Sequence, residues 1–236
     1  YKDVIIECDK RLIPLFKCSF ENKFRNKFVE FGSISNHPEK LKYFDHVLYA
    51  GSLGKFFRKN INTFPNKPYI KSSNNDPITK LKKINKNINI GISWKSFKNR
   101  YAKEKSLELY DLKHVFSLSK CNFINLQYGE VDNEINDFVS SGGKEIIVLK
   151  NLDLFNDFIG VSELLNQLDL FISVSNSTAH LAGAMGVKTL LIKPENHAAY
   201  HYWNYPESKT PWYNNLKIIS KKILQEKNKI QNLILN

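Results

Sequence analysis

The sequence lacks any long apolar run. No stretch of the 236 residues approaches the roughly 18 to 20 uninterrupted apolar residues that a membrane-spanning helix needs. The N-terminus also lacks the positive region followed by an apolar region that marks a secretory signal peptide. We therefore expect a soluble, cytoplasmic protein with no transmembrane segment. A hydrophobic content of 42% is sufficient for a real core.

Cysteine is scarce. The chain has three cysteines, Cys8, Cys18 and Cys121, with no CxxC pair and no Cys/His spacing of the kind that binds a metal. An odd number without a pattern argues against a disulfide framework. We expect reduced thiols and no metal site.

Arginine is scarce as well, so that the formal charge of +12 comes mainly from lysine. A positive chain can bind nucleic acid by releasing counterions from the phosphate backbone. Here the basic residues are diluted by Asn and Ile along the whole chain, and no helix carries aligned Arg residues. We expect no specific nucleic-acid partner, and general polyanion binding is kept as the weakest of three hypotheses.

The chain divides by pattern into a partial N-terminal α/β domain with a linker (residues 1–80) and a C-terminal α/β domain (residues 81–236). In the first part we predict strands at 2–7, 28–31 and 44–50, a turn with a short helix at 51–58, and a linker at 60–77. In the second part, short β-branched runs alternate with amphipathic stretches. Strands are predicted at 89–93, 122–127, 145–149, 170–174, 188–192 and 216–219, and helices at 107–118, 131–141, 162–168, 177–185 and 220–235. This alternation predicts a doubly wound, parallel six-stranded sheet.

Polar side chains follow several of these strands at the point where each strand ends. The groups are Ser93-Trp94-Lys95, Gln127-Tyr128-Gly129 and Ser175 to Thr178. In open parallel sheets, ligands bind beyond the carboxyl ends of the strands. We therefore expect these groups to line one crevice.

The stretch from residue 170 to 189 has the build of a diphosphate site. An apolar β run ends at Ser175, and a helix rich in small residues begins after it. The first amides of a helix have no partner inside it and carry partial positive charge, so they attract an anion. Asn176, Ser177 and Thr178 can either cap the helix or donate to phosphate oxygens. An ordinary capped helix is the alternative, but His180 lies within one turn of the same end, where a ring N–H could reach a phosphate.

Several segments together resemble a known family. They are GISWKS (91–96), INLQYG (124–129), DFIGVSELL (157–165), DLFISVSNSTAHLAGAMG (169–186) and PWYNNLKII (211–219). In this order they resemble the nucleotide-binding half of GT-B glycosyltransferases, with the nearest likeness to the heptosyltransferase-like and tetratricopeptide-linked sugar transferases of bacteria. Residues 4–16 and 44–58 resemble the later part of the acceptor-side domain of the tetratricopeptide-linked group, so we expect an incomplete N-terminal domain. Either the chain is a fragment of a longer protein or half of this domain has been lost.

The resemblance implies a role for each candidate residue. It implies a GT-B fold, a nucleotide-sugar donor, a hydroxyl acceptor, and no metal or other cofactor. Lys95 is the expected cation for the diphosphate, with a solvated lysine as the alternative. The residues expected around the two phosphates are Ser93, Ser175, Asn176, Ser177, Thr178 and His180, and His180 and Lys95 are the expected catalytic pair.

The resemblance also implies a nucleobase, ribose or sugar pocket. Its expected residues are Gln127, Tyr128, Leu149, Ile159, Glu163 and Trp212. For Glu163 the alternative is a carboxylate that serves the helix dipole. For Trp212 the alternative is a packing residue between domains.

Three functions follow. The first is a glycosyltransferase, or its donor-binding part, that transfers a sugar from a nucleotide-diphosphate donor to a hydroxyl group. The second is a nucleotide-sugar-binding module without transfer activity, and the third is the polyanion binder. Acidic candidates for a catalytic base, Glu7, Asp9 and Asp45, all lie in the N-terminal part.

Overall fold

A parallel six-stranded sheet forms the centre of the protein, as the sequence predicts. The computed structural model describes residues 4–20, 27–65, 67–72, 81, 87–97, 102–194, 201–205 and 208–235. The sheet strands are β3 (Ile88–Ser93), β4 (Cys121–Asn125), β5 (Ile146–Ile147), β6 (Leu170–Val174), β7 (Thr189–Lys193) and β8 (Leu216–Ser220). All five neighbouring pairs are parallel. The doubly wound α/β class is therefore confirmed.

The strand order reverses direction in the middle of this sheet. Neighbours run β5-β4-β3-β6-β7-β8, so the chain builds outward from β3 to β5 and then returns to place β6 on the other side of β3. Ser93 at the end of β3 lies opposite Ser173 of β6. Connections leave the carboxyl ends of β3 and β6 in opposite directions, and this opens a crevice at that edge.

Apolar side chains bury both faces of the sheet. Ile90, Ile92 and Val174 belong to one core, while Ile124 and Phe171 belong to the other. Gly91 faces the second core, where a Cβ would collide with the Leu126 and Phe171 side chains. Burial on both faces explains why these strands are almost wholly apolar in sequence.

Helices cover the two faces. They are α4 (Ala102–Lys105), α5 (Lys113–Phe116), α6 (Asp132–Ser140), α7 (Phe158–Leu165), α8 (Ser177–Met185) and α9 (Lys227–Leu235). The helix predicted at 177–185 is confirmed as α8, and its first and last residues are the predicted ones. The predicted helices at 107–118 and 220–235 are each split into a 3-10 turn and a shorter α-helix, at Leu109–Leu112 and at Lys221–Gln225. Helix α7 begins earlier than predicted because the Asp157 side chain caps it by accepting from Gly160 N at 2.8 Å.

The N-terminal part holds a two-stranded parallel pair, β1 (Ile6–Cys8) and β2 (Phe28–Glu30), joined through α1 (Ile13–Ser19). Two short helices follow, α2 (Pro38–Leu41) and α3 (Gly54–Phe57). The predicted strand at 44–50 is wrong: residues 44–49 form no strand and Ala50 begins a 3-10 turn. Val47, Leu48 and Tyr49 are all exposed there, so the apolar run has neither a core nor a neighbouring strand to pair with.

The segment predicted as a linker is packed against the C-terminal part where it is described. The amides of Tyr69 and Ile70 both donate to the carbonyl of Ala184, at 2.9 and 3.1 Å. Leu15 of α1 is 1% exposed and belongs to the same core as α7 and α8. Residues 73–77 of the predicted linker lie outside the described ranges, and so does residue 80 at the predicted domain boundary. The division into two domains therefore stays a prediction. Across the described part of the chain, no helix has the length and apolar character to span a bilayer.

Candidate functional site

The predicted phosphate residues and Lys95 meet at the crevice between β3 and β6. Asn176 links the two sides. Its Nδ2 donates to Ser93 Oγ at 2.8 Å and lies 3.4 Å from the Lys95 carbonyl oxygen, while its Oδ1 accepts from Ala179 N at 3.0 Å. One buried amide therefore caps α8 and holds the loop after β3 against it.

Three helices start at this edge of the sheet, and their N-termini differ in charge. Helix α6 carries Asp132 and Glu134 in its first turn, and α7 is capped by the carboxylate of Asp157. Helix α8 has the neutral Asn176 as its cap and no acidic residue in its first turn. A helix N-terminus carries about half a positive charge. Of these three ends, α8 alone leaves that charge without a carboxylate, which favours an anion there.

The Asn176 cap leaves the first two amides of α8 without an acceptor in the helix. Because Asn176 Oδ1 accepts from the third amide, Ala179 N, the first two, Ser177 N and Thr178 N, have no acceptor within the helix. Both residues line a pocket of about 70 Å³. Its other lining residues come from four places in the chain: Arg11, Tyr128, Leu154, Phe155, Phe158 and Val161. Ligand pockets usually hold about 300 Å³ or more, so this cavity is too small to enclose a nucleotide by itself.

Gln127 organises the loop after β3. It is 1% exposed. Its Oε1 accepts from Ser93 Oγ at 3.1 Å and from Lys95 N at 2.6 Å, and its Nε2 donates to the Tyr128 carbonyl at 2.8 Å. Both polar atoms of the Gln127 side chain are hydrogen-bonded to neighbouring protein groups. Gln127 therefore supports the floor of the crevice. Tyr128, the next residue, lines the pocket.

The ammonium group of Lys95 is held by a carboxylate. Nζ lies 2.6 Å from Glu134 Oε2, and the other oxygen of Glu134 accepts from Trp94 Nε1 at 3.0 Å. Trp94 is fully buried and packs in the core. The backbone of Lys95 thus lies in the crevice, while its ammonium group pairs with Glu134 of α6. Binding of a diphosphate by Lys95 would require exchange of this partner.

His180 faces an aromatic cluster. Its Nδ1 lies 3.0 Å from Tyr213 Oη, and its ring stacks on Trp203 with centroids 4.5 Å apart at 29°. Burial, followed by electrostatic interaction with His201 and Lys105, lowers the pKa of His180 to about 4. The imidazole is therefore neutral at physiological pH, and it interacts by hydrogen bonding and not by charge.

Trp203 ties this cluster to the loop between β6 and α8. It is fully buried, and its Nε1 donates to Ser175 Oγ at 2.9 Å. The hydroxyl of Ser175 is thus directed at the protein. Trp212 packs edge-on against Phe64 at 4.8 Å, so a residue of the N-terminal part covers this predicted sugar contact.

The remaining predicted residues lie in or against the core. Leu149 and Ile159 pack against the core that contains α7 and α8. Glu163 is 4% exposed on α7. The structure thus brings Ser93, Asn176, Ser177, Thr178 and Tyr128 to one edge. Leu149, Ile159 and Glu163 lie beneath that edge.

Arg11 is a charged pocket residue that sequence reasoning missed, as it missed Leu154, Phe155 and Phe158. Its Nη1 donates to the Phe155 carbonyl at 3.0 Å, and its guanidinium lies over the rings of Phe155 and Phe158 at 4.8 and 5.5 Å. Asp9 pairs with it through two hydrogen bonds, at 3.0 and 2.7 Å, and these bonds hold the pKa of Asp9 at about 2. The one available signal was that Arg is rare in a lysine-rich chain.

Two of the acidic candidates for a catalytic base have structural partners. Glu7 accepts from the amides of Ile34 and Ser35, at 2.6 and 3.0 Å, and Asp9 holds Arg11.

Within the described ranges, no group of three or more His, Cys, Asp or Glu side chains is arranged to hold a metal ion.

Comparison with known proteins finds the following similarities. No protein-family model matches the chain. The protein FlbA of Caulobacter vibrioides (strain ATCC 19089 / CIP 103742 / CB 15) is 26% identical over 222 residues, covering 89% of this chain and 36% of FlbA. The chain therefore spans about a third of the length of this curated relative. The structure is also similar to that of E. coli ADP-heptose LPS heptosyltransferase II, with a TM-score of 0.42 and 10% identity over 63% of this chain and 47% of that chain.

Proposed function

We propose that this chain is the donor-binding part of a glycosyltransferase, which transfers a sugar from a nucleotide-diphosphate sugar to a hydroxyl acceptor. One observation carries the proposal. At the crevice where the strand order reverses, the N-terminus of α8 has no carboxylate of its own, unlike those of α6 and α7, and its first two residues, Ser177 and Thr178, open into an aromatic pocket. Such a place suits a diphosphate with a base beside it.

In the proposed complex, each part of the donor has its own place. The phosphates lie at the amides of Ser177 and Thr178, and the base lies against the rings of Tyr128, Phe155 and Phe158. Aromatic walls suit a flat heterocycle because they bury its faces. The sugar then extends from the outer phosphate toward the acceptor.

The chemistry needed from these residues is stabilisation of the leaving diphosphate. Negative charge grows on its oxygens as the glycosidic bond breaks, and fixed N–H groups aimed at that charge stabilise the transition state more than the ground state. Neutral His180 supplies a hydrogen bond. Lys95 supplies positive charge once a phosphate competes with Glu134 for its ammonium group.

Calorimetry tests the proposal. We would titrate the chain with ADP, UDP, GDP and CDP, and with the matching nucleosides, which lack phosphate. We expect at least one diphosphate to bind and its nucleoside to bind far more weakly. Failure of all four diphosphates to bind a chain whose circular dichroism shows it to be folded would remove the proposal.

A second candidate is a nucleotide-sugar-binding module without transfer. It is favoured by the engagement of Glu7 and Asp9 in local structure, which takes both away from the role of acceptor base. This candidate predicts diphosphate binding without donor turnover. A measurable rate of sugar transfer, lost in His180→Ala, would reject it.

A further inference from the structure

A short segment of the N-terminal part, residues 43–59, carries large apolar side chains that no core covers. Six of them are more than half exposed: Tyr43, Val47, Leu48, Tyr49, Phe56 and Phe57. None of the six belongs to either core of the sheet. Single exposed apolar side chains are ordinary on a protein surface, but their concentration in one segment indicates an interaction surface.

The backbone in the second half of segment 43–59 is hydrogen-bonded within itself. Amides there donate to carbonyl groups three or four residues earlier, and they belong to Ser52, Leu53, Phe56, Phe57 and Arg58. The Arg58 guanidinium also donates to the carbonyls of Phe57 and Thr63, at 2.9 and 3.1 Å. Moving a backbone out of water costs much less when its polar groups are already paired. These turns can therefore enter an apolar environment with their hydrogen bonds intact.

The charge of segment 43–59 identifies the kind of partner. It contains Lys55, Arg58 and Lys59 against the single acid Asp45, and the two lysines lie on either side of the Phe56-Phe57 pair. Among the described residues, neither lysine has a carboxylate partner. Lysine is depleted where proteins bind one another, whereas lysine beside exposed Phe and Leu is typical of segments that lie on anionic bilayers. The composition therefore favours a lipid surface over a protein.

We propose that segment 43–59 is a membrane-contact surface, which binds the headgroup region of a bilayer that contains anionic lipids. The rings of Phe56 and Phe57 enter the boundary between headgroups and acyl chains. Lys55 and Lys59 keep their ammonium groups at the level of the lipid phosphates. The formal charge of +12 on the whole chain adds to the attraction. Binding of this kind is peripheral and needs no spanning helix, and the inference does not depend on the proposed function.

Co-sedimentation of the chain with lipid vesicles tests the apolar contribution. One set of vesicles is phosphatidylcholine alone, and the other is a mixture of phosphatidylcholine and phosphatidylglycerol. We expect the chain to bind the mixed vesicles, and Phe56→Ser/Phe57→Ser to bind them at least about tenfold more weakly. Both rings are exposed, so the urea midpoint of this variant should equal that of the wild type. Tyr110→Ser is the matched control, because Tyr110 is 69% exposed outside the segment, and it should bind like the wild type.

The same assay tests the charge contribution. Lys55→Gln/Lys59→Gln should bind the mixed vesicles roughly 30-fold more weakly, because each lysine near an anionic surface strengthens binding about fivefold. Lys222→Gln/Lys227→Gln removes the same charge from exposed positions of the C-terminal part and should have a much smaller effect. Binding of the wild-type chain to pure phosphatidylcholine vesicles should be weaker than to the mixture.

Three results would overturn the proposal. The first is a wild-type chain that stays in the supernatant with the mixed vesicles. The second is a Phe56→Ser/Phe57→Ser variant that binds them as tightly as the wild type, which would assign the binding to general positive charge. The third is a wild-type dimer in sedimentation velocity that the same variant abolishes, which would assign the surface to a second copy of the chain.

Discussion

Substitution of Asn176 by Asp changes the charge at the α8 N-terminus with almost no change in shape. The carboxylate keeps the oxygen that accepts from Ala179 N, so the helix cap is preserved. It loses the donor to Ser93 Oγ, and it faces the Lys95 carbonyl with an oxygen instead of an N–H. Above all, it places a negative charge where we propose that a diphosphate binds.

The expected loss of binding follows from Coulomb's law. A phosphate at the first-turn amides would lie roughly 5 Å from the new carboxylate, and two unit charges at that distance repel by about 3 kcal/mol at an effective dielectric constant of about 20. That energy corresponds to a dissociation constant roughly 100-fold higher. Stability should fall as well, because the buried carboxylate loses the hydrogen bond to Ser93 Oγ and lies against the Lys95 carbonyl oxygen, so the titration is made on a variant whose urea midpoint shows it to be folded.

The assay is calorimetric titration with the nucleoside diphosphate that binds the wild-type chain, at pH 8 so that the carboxylate is ionised. Asp157→Asn is the matched control, since it makes the opposite change at the cap of α7 and keeps the oxygen that accepts from Gly160 N. We expect this control to bind as tightly as the wild type, or slightly more tightly. If Asn176→Asp also kept wild-type affinity, no phosphate would lie at the α8 N-terminus and the reasoning would be refuted.

Three further predictions concern the surroundings of this helix. Glu134→Gln should tighten diphosphate binding about fivefold, because it removes the charged partner of Lys95, an effect of about 1 kcal/mol. Gly183→Ala should lower the free energy of unfolding by roughly 1 to 3 kcal/mol, because the new methyl group collides with the Tyr213 ring. The free energy of unfolding should also fall by up to about 3 kcal/mol as the pH drops from 7 to 4, since burial lowers the pKa of His180 to about 4 and the unfolded chain binds the extra proton near pH 6.5.

Each of these has a control in the same chain. Glu226→Gln removes the partner of Lys229 in an exposed pair on another helix, and it should leave diphosphate binding unchanged in the titration. Gly54→Ala adds a methyl group in open space and should leave the urea midpoint nearly unchanged. His180→Gln should flatten the dependence of the urea midpoint between pH 7 and 4; a dependence as steep as that of the wild type would assign the effect to other groups.

The sequence predicted the elements that local chemistry determines. Strands β3, β6 and β7 are short runs buried on both faces. Helix α8 is marked at its two ends by Asn176, which caps it, and by Gly186, whose φ of 78° closes it. The run at 44–50 has similar composition but no core to cover it, and the prediction of a strand there was wrong. A strand requires a neighbour, and composition alone does not contain that information.

The parts of the candidate site that sequence could not predict depend on distant partners. The pairing of Lys95 with Glu134 joins residues of different strand-helix units, and Arg11 reaches the Phe155 carbonyl across 144 positions of sequence. Nothing in the local pattern marks either contact. The sequence predicted that residues following strand ends lie at the edge of the sheet, because strand direction alone determines this. It did not predict which residue pairs with each charged side chain.

Helix α8 is held at both ends, and this bears on how well the proposed anion site is preorganised. At its start, Asn176 fastens it to the loop after β3. At its end, Ala184 accepts from the amides of Tyr69 and Ile70, and Asn215 Nδ2 donates to the Gly186 carbonyl at 2.5 Å. Donors that stabilise developing charge work best when they need no rearrangement during the reaction. A segment of the N-terminal part therefore supports the proposed anion site from the far end of the helix, as Arg11 contributes to the pocket at the near end.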